Sequence, residues 1–315
     1  MDLVGKRRWF FILSAIIIVP GLISLVIPPS LHLGIEFTGG STLNIEFTDT
    51  VTEAELNAVL VRQGHPEAVI QATGRTGFFI RISRLREAEA QVDARSEREV
   101  LEEAFGNLAP LAREVEVESV SGVVASGTVR NSFVAVVAAS IAILLYITWA
   151  FRHVPRPFRY GVAAIVALVH DVLIVVGIFS ILGKLVNLEV NAMFITGLLT
   201  VIGYSVHDTI VVFDRIRENV IRLPAERFER AVNTSLLETM GRSVNTSLTI
   251  LFTLLALLLL GGESIRNFLL VLLIGIIAGT YSSICIASQV LVVWETGEAG
   301  RFLRRLHLLP SRTQA

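Results

Sequence analysis

Apolar and polar positions divide this chain into two kinds of pattern. Six long apolar runs, at about 9–27, 131–151, 159–182, 190–213, 244–262 and 267–294, are close to 20 residues or longer. A helix rises 1.5 Å per residue, so about 20 residues cross the roughly 30 Å of a bilayer's hydrocarbon. Each run therefore predicts a transmembrane helix. Between the first and second runs the pattern changes. Ser41–Thr48 (STLNIEFT) alternates apolar and polar residues like a half-buried strand. Thr52–Arg62 predicts a helix, with Thr52 and Glu55 placed as a capping box. Ala68–Thr73 and Gly77–Ser83 predict strands joined by a Gly74–Gly77 turn. Glu87–Phe105 predicts a charged amphipathic helix, and Glu114–Val120 (EVEVESV) alternates again. Strand, helix, strand, strand, helix, strand is the order of the ferredoxin-like split βαβ unit. The expected fold is thus a polytopic α-helical membrane protein of six spans with one α+β domain at 31–130.

Composition sharpens this picture. Hydrophobic residues make up 53% of the 315 and charged residues 17%, against about 25% charged in a soluble domain. A net charge of −1 excludes a nucleic-acid binder, which needs a dense basic surface. Cys285 is the single cysteine, so no disulfide framework or cysteine metal site exists within the chain. The first run follows Lys6, Arg7 and Arg8, as a signal peptide would. It is longer than a signal's 7–15 apolar residues and ends at Pro28-Pro29 with no small-residue cleavage site. An uncleaved anchor is expected.

Basic residues orient the spans. With the N-terminus in the cytoplasm, sixteen Lys and Arg fall on the cytoplasmic side, against Lys184 and Arg266 in the short outer loops. Both termini are expected inside, with 1–30 forming the N-terminus and first span and 31–130 lying outside. Residues 131–294 carry the remaining spans, with a cytoplasmic amphipathic loop at 214–243, and 295–315 form a basic tail. In that loop Phe228, Val232, Leu236 and Met240 make one apolar stripe, suited to the membrane lipid surface.

Ionisable groups inside a bilayer are costly and mark candidate sites. Asp171 lies about 12 residues, roughly 18 Å, into the third span, and Asp208 about 9 Å from the inner end of the fourth. Each follows a histidine, His170 and His207. Burial among apolar groups disfavours an ionised carboxyl, as a proton carrier requires. The fourth span lines up Gly197, Thr200, Tyr204 and Asp208 on one side, and the fifth lines up Arg242, Thr246, Thr249 and Thr253. Facing stripes would let Arg242 reach Asp208. Pairing would favour the carboxylate and separation the acid, a toggle that could gate a proton. Gly275, Gly279 and Ser283 form a small-residue row suited to close helix packing. The α+β region holds His32 and His65 but no metal-ligand spacing and no nucleophile–His–acid set, so a binding or hinge role is expected there.

These motifs resemble a known family. GYSVHDTIVVFDRIREN at 203–219, GIEFTGG at 34–40, LVHDV at 168–172 and TMGRSVNTSLTIL at 239–251 are similar to those of the SecF family of protein translocase subunits. The likeness covers essentially the whole chain. Three positions depart from the family pattern: His207 replaces the usual Asn, Glu36 an Asp, and Ser119–Val123 (SVSGV) a segment that usually carries VGP. The resemblance implies a half of a proton-driven transporter of the resistance-nodulation-division superfamily, with a periplasmic α+β domain. It implies pairing with SecD in the inner membrane and support of unfolded preprotein export through the SecYEG channel after SecA has acted. It assigns proton transport to Asp208 and Arg242, with Asp171 and His207 beside them, and implies no cofactor other than the proton as coupling ion. Two other classes bear on the same residues. A proton-coupled exporter of lipids or small molecules would need larger extracytoplasmic domains. An intramembrane aspartyl protease would need a glycine nearer Asp208 than Gly203.

Overall fold

A computed structural model describes residues 1–83, 85, 96–113, 115–222, 225–262 and 265–298. In chain order these form α1 (Arg7–Val26), α2 (Ile35–Thr38), β1 (Gly40–Glu46), α3 (Glu53–Arg62), β2 (Val69–Ala72) and β3 (Gly77–Ile82). There follow α4 (Glu97–Gly106), β4 (Glu116–Val120), α5 (Gly122–Ala150), α6 (Phe158–Val186), α7 (Ala192–Arg222) and α8 (Phe228–Leu260). Last come α9 (Arg266–Ser282), a π-helical turn at Ser283–Ala287 and α10 (Ser288–Glu295). The chain divides into two compact units, Leu33–Phe133 and the remainder.

In the smaller unit the four strands form one antiparallel sheet in the order β2-β3-β1-β4. That order and the two intervening helices are the ferredoxin-like arrangement expected from the alternation. Period-2 placement sends Leu43, Ile45 and Phe47 inward beside Phe78, Ile80 and Ile82 of β3. Leu56 and Leu60 of α3 and Leu101 and Phe105 of α4 close the core over them. The Thr52–Glu55 capping box is formed, and Ser96 with Glu99 makes a second one at α4. The Glu87–Phe105 helix is therefore present from Glu97 onward, and 86–95 lie outside the described residues. At the Gly39-Gly40 corner both glycines have positive φ, 74° and 131°, and a Cβ on Gly40 would lie 2.7 Å from the Ile82 carbonyl. Only glycine fits between α2 and the start of β1.

In the larger unit and α5, six helical rods are long and apolar enough to cross a membrane, α9, the π turn and α10 making one continuous rod. Six were expected. α6, α7 and the α9–α10 rod bury the most surface, with α1 packed on α6 and α8 on α7. Lipid is as apolar as a leucine side chain, so close backbone approach between helices depends on small residues. A Cβ on Gly275 would meet Val201 at 2.2 Å, and one on Gly279 would meet Ser205 at 3.0 Å. The small-residue row of α9 thus packs on α7.

One boundary differs from the sequence reading. The expected 214–243 loop is helix on both sides of a short connection, since α7 runs to Arg222 and α8 starts at Phe228. Val232 and Leu236 are buried within the protein, where the sequence reading laid the apolar stripe on the membrane face. The polar face, which argued for a separate element, is consumed in contacts between α7 and α8. Arg215 donates to Glu238 at 2.7 Å, and Asn219 donates to Ser235 and Glu238, each at 2.9 Å. The tail beyond 298 lies outside the described residues.

Candidate functional site

Two helices bring two carboxylates into the interior of the larger unit. Asp171 of α6 is 1% exposed and Asp208 of α7 is 8% exposed. Their surroundings differ.

Asp171 is saturated with donors. The hydroxyls of Ser205 on α7 and Ser282 on α9 both donate to its Oδ2, at 2.5 and 2.7 Å. His170 Nδ1 lies 2.9 Å from its Oδ1. The other ring nitrogen of His170, Nε2, lies 2.9 Å from the Ser14 hydroxyl on α1. Ser14 contacts the Tyr281 hydroxyl at 3.2 Å, and Tyr281 donates to the Phe10 carbonyl at 2.8 Å. This chain of polar groups crosses four helices and is buried over most of its length.

Asp208 is held more loosely. Ser243 of α8 donates to its Oδ1 at 2.6 Å, and its Oδ2 is buried with no hydrogen-bond partner. One residue along α7, Thr209 meets Ser283 at 3.0 Å. Ser283 opens the π-helical turn and also contacts the Ser205 carbonyl at 3.4 Å. A π turn widens the helix locally and frees backbone bonds, and such turns recur at functional sites. Here it sits beside both acids.

The structure brings Asp171 and Asp208 into the same interior and leaves the other two sequence candidates on its exposed margin. His207 and Arg242 are exposed, near enough to act on Asp208 through charge but not hydrogen-bonded to it among the described residues. Among the described residues no ion pair joins Arg242 to Asp208. Its neighbour Ser243 takes that place, because the stripe of α8 that meets α7 runs through Ser243 and Ser247 rather than Arg242 and Thr246. Rotation by one residue, 100° on a helix, separates the two readings. Residues that the sequence reading missed are Ser14, Ser205, Ser243, Tyr281 and Ser282. A serine in an apolar helix carries a weak signal alone, but Ser282 and Ser283 follow the Gly275 and Gly279 row at its next turn and mark the same side.

The fold and the buried acids define a class: a six-span helical unit with an appended split βαβ domain and intramembrane carboxylates, the half-transporter plan of the resistance-nodulation-division superfamily. Residues 100–297 match the family described as protein export membrane protein SecD/SecF, C-terminal, and residues 31–51 match the SecD/SecF GG motif. The chain is 47% identical to the protein translocase subunit SecF of Thermobaculum terrenum, over 97% of each chain. It is 33% identical to the protein translocase subunit SecDF of Bacillus subtilis, covering 94% of this chain and 38% of that one. The crystal structure of SecDF, a translocon-associated membrane protein from Thermus thermophilus, superposes with a TM-score of 0.81 at 34% identity. That match covers 94% of this chain and 39% of the Thermus chain, so this chain spans about two-fifths of the fused proteins. The chain belongs to the SecD/SecF family.

Proposed function

We propose that the chain is a SecF-type subunit which, with SecD, uses the proton gradient to promote movement of unfolded preproteins across the bacterial inner membrane. The observation that carries this reading is Asp208: a buried carboxyl with Ser243 on one oxygen and nothing on the other. A carboxyl so placed can hold a proton as the acid and release it when a positive partner arrives. Full satisfaction, as at Asp171, would oppose that exchange.

Arg242 is the candidate for that partner. It lies one residue from Ser243 on α8, so a rotation of α8 by up to 100° would exchange one for the other. The guanidinium cannot shed its charge, so its approach stabilises the carboxylate and its withdrawal favours the acid. The distribution of Lys and Arg supports cytoplasmic termini and a periplasmic α+β unit. The family's fused members support a SecD partner, since one polypeptide there carries both halves. SecYEG, SecA acting upstream and the preprotein follow from that reading. One elementary charge crossing 100 mV releases about 2.3 kcal/mol, a population shift of about fiftyfold between two poses. That suits a ratchet on chain already unfolded and falls short of unfolding a domain.

The test is Asp208→Asn, assembled with SecD in vesicles that also carry the channel and its ATPase. Gradient-stimulated export is lost and ATP-driven export persists. Arg242→Lys is impaired, and His207→Asn is mild. Full gradient stimulation in an Asp208→Asn complex of normal composition would overturn the proton role.

A further inference from the structure

The segment before α1 and the start of α8 enclose a cavity of about 410 Å³, away from the buried acids. One wall is held by directed bonds. Asn233 Oδ1 on α8 accepts the Leu3 and Val4 N–H groups at 2.8 and 3.3 Å, and its Nδ2 donates to the Met1 carbonyl at 3.1 Å. Leu3 and Val4 are each 3% exposed. Asp2 accepts the Gly5 N–H at 2.7 Å, and the Lys6 and Arg7 N–H groups turn back onto the Leu3 and Val4 carbonyls to start α1.

Position says what the cavity meets. The apolar run of α1 opens at Trp9, which is 71% exposed. An exposed Trp beside Arg7 and Arg8 marks the edge of the hydrocarbon. Residues 2–7 then reach about 10 Å beyond that edge at 1.5 Å per residue. The headgroup layer is about 5–8 Å deep on each face, so the cavity opens into it. In the orientation proposed above, that layer is the cytoplasmic one.

Charge narrows the ligand. Among the described residues, Arg7, Arg227 and Arg230 line the cavity against Asp2, Glu226 and Glu229. Two of the arginines are engaged, Arg7 with Glu298 at 3.1 Å and Arg227 with Glu229 at 3.0 Å. Arg230 and Glu226 form no ion pair among the described residues, and Thr234 adds a hydroxyl. A ligand that satisfies this remainder carries a phosphate for Arg230 and Thr234 and a cation for Glu226 and Asp2. The balance of signs in the lining gives a purely anionic headgroup no advantage. A quaternary ammonium is recognised by aromatic cages, and no aromatic ring lines this cavity among the described residues. A primary ammonium has three N–H donors, which suit two carboxylates.

We propose that this cavity binds a zwitterionic lipid headgroup, a phosphodiester joined to a primary ammonium as in phosphatidylethanolamine. The phosphate sits at Arg230 and Thr234, and the ammonium at Glu226 and Asp2. The bound lipid bridges the start of α1 and the first turns of α8, adding to the hold of Asn233. The site does not depend on the proton reading.

The test is native mass spectrometry of the full-length chain released from vesicles of equal parts phosphatidylethanolamine, phosphatidylcholine and phosphatidylglycerol. Wild type retains the ethanolamine lipid over each of the others by about tenfold, the effect of charge-assisted bonds to one group. Arg230→Gln lowers that retention by about tenfold. Glu226→Gln still retains lipid but no longer prefers ethanolamine over choline. Both side chains are exposed, so both variants melt with wild type in pure phosphatidylcholine. Glycerophosphoethanolamine in solution displaces the lipid, and inorganic phosphate at the same concentration does not. Equal retention of ethanolamine and choline lipids by wild type, a preference for phosphatidylglycerol, or unchanged retention in Arg230→Gln overturns the site. Displacement by inorganic phosphate as effective as by glycerophosphoethanolamine makes it a site for free phosphate and overturns the lipid assignment.

Discussion

Asp171 and Asp208 are one residue type in one membrane interior, each preceded by a histidine, yet their partners give them opposite characters. Asp171 has two serine donors from two helices and its own histidine 2.9 Å away. Asp208 has one hydrogen-bond donor and an oxygen without a hydrogen-bond partner, and its histidine is exposed and makes no hydrogen bond to it. The turn of helix on which the histidine falls makes the difference. His170 is turned toward α1, where Ser14 receives it, whereas His207 lies on the outer face of α7. Burial alone therefore does not define a proton carrier. The site with unspent hydrogen-bonding capacity can change partners, and the saturated one holds the bundle together.

The comparison breaks most readily on stability. Asp171→Asn presents an amide nitrogen or a single oxygen where Ser205, Ser282 and His170 converge. Leaving buried partners unsatisfied in this way costs about 1–3 kcal/mol for each. Asp208→Asn keeps an oxygen for Ser243 and places its NH2 where nothing bonded before, so its cost stays within about 1 kcal/mol. Unfolding of the two variants in matched mixed micelles checks this. Equal losses would show that the two acids are held alike.

A second measurement concerns the scaffold common to both. Ser205 and Ser282 reach Asp171 only because α9 lies close against α7. Gly275→Ala would put a Cβ 2.2 Å from Val201, overpacking at a cost of about 1–3 kcal/mol. Gly203→Ala, also on α7, meets nothing within 4 Å. In the isolated chain it is neutral or slightly stabilising, since alanine favours helix. Thermal unfolding of the two separates them. If Gly203→Ala loses export only in the assembled complex, the outer face of α7 is covered there.

Much of this architecture was legible before any coordinates. Apolar runs of spanning length gave the six helices, because a bilayer leaves no other economical way to satisfy the backbone. Alternation gave β1, β3 and β4 since one face of the sheet is covered by α3 and α4. Asp171 and Asp208 were visible because charge in an apolar run is conspicuous. What the sequence hid was rotation about each helix axis. Arg242 and Ser243 both belong to polar stripes, and a charged residue draws attention that a serine does not. The separation of α8 into loop and span failed for a related reason. Its charged half looks solvated, yet Arg215, Asn219, Ser235 and Glu238 spend that polarity between α7 and α8.

Ser243→Ala tests how much of the Asp208 character one hydroxyl supplies. It removes the Ser243 hydrogen bond from Asp208, worth about 1 kcal/mol net. Stability falls by that order, and gradient-stimulated export weakens by about tenfold or less. Ser282→Ala, at the saturated site, leaves Asp171 two donors and changes export less. A larger export defect in Ser282→Ala than in Ser243→Ala would reverse the roles given to the two acids.

The smallest expected effect isolates donors from burial. Glu67 in the α+β unit is about half exposed and accepts from the Ser83 hydroxyl at 2.7 Å, the Ser83 N–H at 3.3 Å and His65 Nδ1 at 3.4 Å. Those donors, Ser83 foremost, hold its carboxyl down at about 2. A carboxyl with a depressed folded value contributes stability above its unfolded value, near 4.3, and loses it as pH falls toward the folded one. The α+β unit thus weakens between about pH 4.5 and 2, by a small amount because water screens an exposed group. Glu67→Gln is slightly less stable than wild type at pH 6 and equal to it near pH 2. The probe is far-ultraviolet unfolding of the full chain, followed through the sheet signal. Parallel stability curves for the two proteins from pH 6 to 2 would mean that hydrogen-bond donors alone do not fix a carboxylate's charge here.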